Sequence, residues 1–233
     1  MAGEFIITGG DFLAQALVKS KIGAAVLVWR DVLHQGPVPP TDDLADFSAE
    51  RVVFLKSMGW SAHLDLTKLF GNRNASFLKH GDFARVQLWS EPDAYDQLQL
   101  LQLIDLLARS GRKPDTVDIV ACPKGASQMW SAQLQSLAKK ATPLTPAQVA
   151  LAQKAWAAYR QPTPEAWAAL LDDDLSALPA LKPVVTRLLE ELPHPRSGLG
   201  RVESQIVSLV ANRVRKPKKL FSENATKEPL PFV

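Results

Sequence analysis

Four short runs along this chain are mostly apolar: residues 5–8, 24–29, 84–89 and 116–122. Each is rich in Val, Ile, Leu or aromatic side chains, and none alternates cleanly with polar ones. A strand covered on both faces has this pattern, whereas a strand with one wet face alternates. Between the runs, apolar positions recur at helical spacing over 12–20, 48–60, 62–70, 95–110 and 126–140. Within 95–110, Leu98, Leu101 and Leu103-Ile104-Asp105-Leu106-Leu107 form a broad apolar face. Strand and helix in repeated alternation predict an α/β fold: a parallel, doubly wound, Rossmann-like sheet with right-handed crossovers.

The pattern changes after Lys140, where no further strand is visible and the periodicity is helical. Thr145-Pro146-Ala147-Gln148 reads as a capping box, with Thr at the N-cap, Pro at N1 and Gln at N3. Thr163-Pro164 opens a second helix, ending near Asp172-Asp173-Asp174. A third spans 178–192, stopped by Pro193 and Pro195, and a fourth spans 199–212. The expected division is an α/β domain over 1–142 and an all-helical region over 143–233, with the boundary near 141–145.

Composition narrows the class. Apolar residues make up 46% of the 233 and charged residues 22%, ordinary values for a globular chain. No apolar run approaches the ~18 residues of a membrane span. The start, Met1-Ala2-Gly3-Glu4-Phe5, shows no secretory pattern, and the lone Cys122 fits a reducing compartment, so a cytoplasmic protein without membrane contact is expected. The net charge of +3 is unevenly placed. From Ser197 onward, Arg201, Arg213, Arg215, Lys216, Lys218, Lys219 and Lys227 face only Glu203, Glu223 and Glu228, so this stretch carries the surplus and the rest is near neutral. Arg213, Arg215, Lys216, Lys218 and Lys219, set between two helical stretches, loosely resemble a helix-turn-helix and are the candidate contacts to nucleic acid. A solvated basic face is the simpler reading.

In open α/β sheets, ligands sit beyond the carboxyl ends of the strands. The segments leaving those ends are Gly9-Gly10-Asp11, Trp29-Arg30-Asp31-Val32-Leu33-His34-Gln35-Gly36-Pro37-Val38-Pro39, Glu91-Pro92-Asp93-Ala94-Tyr95-Asp96-Gln97 and Cys122-Pro123-Lys124-Gly125. A plain connection needs Gly, Pro, Asn or Ser, not Trp, Arg, Asp and His together. His34 and Asp31 are the candidate catalytic residues, because the unperturbed imidazole pKa near ~6.5 suits acid–base work at neutral pH. Gly9, Gly10, Asp11, Trp29, Arg30, Gln35, Gly36, Glu91, Asp93, Tyr95, Asp96 and Gln97 are the candidate ligand contacts, with Arg30 orienting an anionic group. The acidic character also suits a hard divalent cation such as magnesium. Asp11, Arg30, Asp31, His34, Asp93 and Asp96 are expected around one concavity. Structural readings compete: Asp11 and Asp93 as helix caps, an Arg30–Asp31 ion pair, Trp29 as core. The phosphate-binding fingerprints G-x-G-x-x-G and G-x-x-x-x-G-K-S/T are absent, as are H-E-x-x-H and C-x-x-C.

The block running from Trp29 to Val38 resembles the W-R-D-x-L-H-x-G-P signature of the bacterial domain-of-unknown-function 1835 family. Asp93-Ala94-Tyr95-Asp96-Gln97-Leu98-Gln99-Leu100 is similar to its second block, D-x-x-D-Q-L-x-L. Ser197-Gly198-Leu199-Gly200-Arg201-Val202-Glu203-Ser204-Gln205-Ile206 resembles the start of the helical region that often follows. Gly9 and Pro92 depart from the pattern, which more often has a polar residue and a His there. The resemblance implies a bacterial cytoplasmic protein and brings no established activity. The leading functional expectation is recognition of a small polar ligand, nucleotide- or sugar-like, at the carboxyl edge of the sheet, with turnover left open. The alternative is a non-enzymatic regulator whose basic helical tail contacts nucleic acid or a protein.

Overall fold

A computed structural model describes residues 3–59 and 63–228. The expected helix ends at Trp60 and Ala62, and the segments Met1-Ala2 and Pro231-Phe232-Val233, lie outside the described residues. The chain is α/β, with one five-stranded sheet ordered β2-β1-β3-β4-β5. All four apolar runs are strands: β1 (Glu4–Thr8), β2 (Ala25–Val28), β3 (Arg85–Ser90) and β4 (Val117–Ala121). They are mutually parallel, with Ile7 opposite both Leu27 and Leu88. β5 (Thr142–Pro143) was not expected; it pairs antiparallel with β4.

Each strand sends alternate residues to opposite sides. Phe5, Ile7, Leu27, Val86, Leu88 and Val117 join the larger core. Ile6, Trp89 and Val120 join a smaller one with Leu13 and Leu17 of α1 (Asp11–Lys19) and Leu134 of α5 (Ser131–Ala138). The continuous apolar runs follow directly from this double coverage. α2 (Leu44–Ser57) and α3 (Leu66–Phe77) fill the long β2–β3 connection, and α4 (Ala94–Arg109) follows β3. α4 buries twelve of its sixteen residues, because it lies against the sheet on one side and packs along α6 (Pro146–Tyr159) on another.

α7 (Glu165–Ala169) and α8 (Leu181–Leu189) complete this layer, and Trp156, Trp167, Leu181 and Val185 share the larger core with the sheet. The core therefore continues across residues 141–145. α9 (Arg201–Ala211) and α10 (Pro217–Ala225) pack on each other. Glu228 anchors them: its carboxylate accepts from Arg187 Nε of α8 at 2.8 Å and Gln205 Nε2 of α9 at 3.0 Å. Among the described residues no helix is long and apolar enough to cross a membrane.

Candidate ligand-binding site

The loop after β2 is held from beneath by two arginines. Arg51 of α2 is fully buried and spends its donors on the loop: Nε on Asp31 Oδ1 at 3.0 Å, Nη1 on the carbonyls of Gln35 (2.8 Å) and Pro37 (2.7 Å), and Nη2 on the Val32 carbonyl (2.9 Å). Arg73 of α3 lies 4.2 Å from the ring centroids of both Trp29 and Phe70, with Nη1 3.8 Å from Asp31 Oδ2. Burial lowers Arg73 to about 10. Burial likewise raises the Asp31 carboxyl, against the pull of Arg51 and Arg73. Three further bonds fix the loop: Trp29 Nε1 to Gln102 Oε1 at 2.7 Å, Gln99 Nε2 to the Asp31 carbonyl at 3.0 Å, and Tyr159 Oη to the Leu33 carbonyl at 2.9 Å.

Two expectations are thereby corrected. Trp29 and Asp31 have no exposed surface, so neither meets a ligand. A carboxylate in this position is retained because two guanidinium groups compensate it. The expected Arg30–Asp31 pair is also absent: Arg30 adopts φ +52° and turns outward while Asp31 turns in. Arg51 and Arg73 were missed, although the signal was there. Phe47, Arg51 and Leu55 share one helical face, as do Phe70, Arg73 and Phe77, so each arginine interrupts an apolar stripe.

Outside this buried cluster, the segments leaving the four parallel strands are linked at one edge of the sheet. Arg30 donates to both carboxylate oxygens of Asp11, Nε lying 2.9 and 3.0 Å from them, and the two side chains are 42% and 50% exposed. Gly10 caps α1 without a side chain, so Asp11 is the first helical residue rather than the cap. Tyr95 Oη donates to the Gly9 carbonyl at 3.0 Å, and a Cβ on Gly9 would lie 2.1 Å from Asp96 Oδ1. The His34 and Tyr95 rings meet edge to face, centroids 6.3 Å apart. Gly36 (φ +74°) packs where a Cβ would strike the Phe54 ring.

The β3–α4 turn is held by its own acids. Asp93 caps α4 by accepting from the Asp96 N–H at 2.9 Å, and Asp96 accepts from the Glu91 N–H at 2.7 Å. The Glu91 carboxylate accepts from the N–H groups of Gly125 (2.8 Å) and Ala126 (3.1 Å), joining this turn to the one after β4. Gln97 Nε2 donates to Ser90 Oγ and the Glu91 carbonyl, both at 2.8 Å. Glu91 and Gln97 are thus bound up in the turn rather than presented to a ligand. Burial, with Asp93 nearby, lifts the Asp96 carboxyl to about 7. Burial also raises Asp93, and it pushes the Tyr95 phenol to about 12.

Arg30 and His34 open onto different hollows. Arg30 borders one of about 490 Å³ beside Lys68 and Asn72 of α3. His34 and Gln35 border another of about 510 Å³ beside Tyr159, Trp167 and Leu188. The expectation of a single concavity gives way to a shared edge with two mouths. Among the described residues, no group of three or more His, Cys, Asp or Glu side chains is arranged to hold a metal ion. Arg213, Arg215, Lys216 and Lys218 are exposed around the α9–α10 turn, and Lys219 lies 3.4 Å from Glu223. Comparison with family models, curated proteins and solved structures gives no match to this chain.

Proposed function

We propose that the carboxyl edge of the sheet recognises a small polar ligand, nucleotide- or sugar-like, bearing an anionic group. The observation that carries this reading is the half-exposed Asp11–Arg30 pair, joined to the Gly9, Tyr95 and Asp96 contacts in the adjacent turn. A guanidinium in a solvent-exposed pair exchanges its partner cheaply, and phosphate matches its fork as well as carboxylate does. Arg30 takes the anion, Asp93, the half-buried cap of α4, takes a hydroxyl, and Asp96 holds the turn that positions them. If turnover follows, His34 is the acid–base group.

We also take the sheet to be doubly wound and Rossmann-like; the order β2-β1-β3-β4-β5 supports this reading, in which a ligand would sit at the β1–β3 junction. In this reading the chain is a bacterial cytoplasmic relative of the domain-of-unknown-function 1835 family, supported by the Trp29 to Val38 and Asp93 to Leu100 blocks. A second reading, a regulator that meets nucleic acid through the α9–α10 turn, is favoured by the exposed Arg213, Arg215, Lys216 and Lys218. Thermal shift against nucleotides, sugars and sugar phosphates separates the readings. A ligand should stabilise the wild-type chain in proportion to the logarithm of its concentration. Arg30→Ala and Asp96→Asn should remove that shift while leaving a cooperative melt. No shift with any compound, joined to salt-sensitive nucleic-acid binding, would favour the regulator.

A further inference from the structure

A cavity of about 460 Å³ lies on the other side of the β3–α4 turn, between β4, β5 and the segment leading into α8. Its walls are aliphatic: Leu100, Ile119, Leu137, Leu178 and Pro179, with no aromatic ring among the lining residues. The polar groups that reach it are mostly committed. Gln97 is tied to Ser90 and the Glu91 carbonyl, and Gln148 accepts from the Thr145 N–H and donates to the Ala177 carbonyl. Cys122, also in the lining, is pushed to about 12 by burial and is no nucleophile at neutral pH. Lys140, at the rim, is exposed and makes no ion pair among the described residues. The nearby carboxylates Glu91 and Asp96 are turned to backbone N–H donors.

From this we infer that the cavity is a second binding site, for a medium-chain aliphatic carboxylate whose chain lies along the Leu137–Leu178 walls and whose head meets Lys140. Small-molecule sites have this make-up, a largely apolar hollow with few free polar groups, and the volume falls in their usual range. At ~30 Å³ per water-sized group, it holds roughly 15 heavy atoms. Among the described residues the walls carry no aromatic ring, which argues against a stacked ring, and the cation at the rim calls for a single anion. Polar ligands of the Asp11–Arg30 edge fit neither feature, so the two sites are distinct.

The test is calorimetric titration of the full chain with decanoate, decanol and decyltrimethylammonium below their micellar concentrations. Decanoate should bind saturably at one site. Lys140→Ala should weaken it about threefold to fivefold, the change that a part-exposed ion pair supplies. Ala180→Trp, which fills the cavity from its rim, should abolish binding while the circular dichroism spectrum stays that of the wild type. Arg30→Ala should leave decanoate binding unchanged. The inference is overturned if decanol or the cationic analogue binds as tightly as decanoate, if Lys140→Ala has no effect, or if a folded Ala180→Trp variant still binds.

Discussion

Truncating Arg51 to Ala leaves the buried Asp31 carboxylate with Arg73 alone, 3.8 Å away, and releases the carbonyls of Val32, Gln35 and Pro37. Breaking a buried pair from one side costs about 3–5 kcal/mol, so this variant should show a much lower urea midpoint. Arg30→Ala breaks a pair of similar chemistry that is half in water, and its cost should stay within about 1 kcal/mol. Equal losses for the two would mean that exposure does not set their energetics. Asp96 behaves differently again. Its folded pKa of about 7 lies above the ordinary 3.8, so the native state holds a proton that the unfolded chain has released. Its contribution to stability is therefore full below about pH 4 and is lost as pH rises through about 7. Urea unfolding between about pH 5 and 8 should show this falling component in the wild type and a flatter profile in Asp96→Asn. Identical slopes would remove Asp96 from the account. At this scale the sequence placed these residues on the loops leaving the strands but did not show the direction of each side chain. Trp29, Arg30 and Asp31 are adjacent letters, yet burial separates them into core, surface and core.

At the scale of elements, local chemistry was largely readable. Four apolar runs became four parallel strands because both faces of the sheet are covered. The box at α6 is present in full: Thr145 Oγ1 accepts from the Gln148 N–H at 3.2 Å, and Gln148 Oε1 accepts from the Thr145 N–H at 2.9 Å. Thr145→Ala should cost ~1 kcal/mol in a thermal melt, and Thr145→Ser should restore most of it. β5 was invisible because two exposed residues carry no periodicity. The stretch 126–140 was read as one helix but breaks into a 3₁₀ turn over Ala126–Gln128 and α5. No Gly or Pro marks that break, and the Trp130 N–H is capped by the Gln133 side chain at 2.9 Å. α2 begins earlier than its periodicity indicated, because Asp43 accepts from the N–H groups of Ala45 and Asp46.

For the molecule as a whole, the division at 141–145 deserves a direct measurement. α4 is buried nearly all round, and α6 lies against it, so the first 142 residues alone would leave part of that surface wet. That fragment should bind hydrophobic dyes strongly and unfold without a cooperative transition, whereas a cooperative melt would establish it as an independent domain. Composition and periodicity located the helical region but not its packing against α4, since tertiary partners leave no local mark. A similar dependence governs the loop after β2. Its shape is written partly in Arg51 and Arg73, which lie outside it, 20 and 42 residues beyond Asp31. Grafting residues 29–39 onto a foreign scaffold would therefore transplant the letters without the conformation, and a protein sharing only those eleven positions need not share the site.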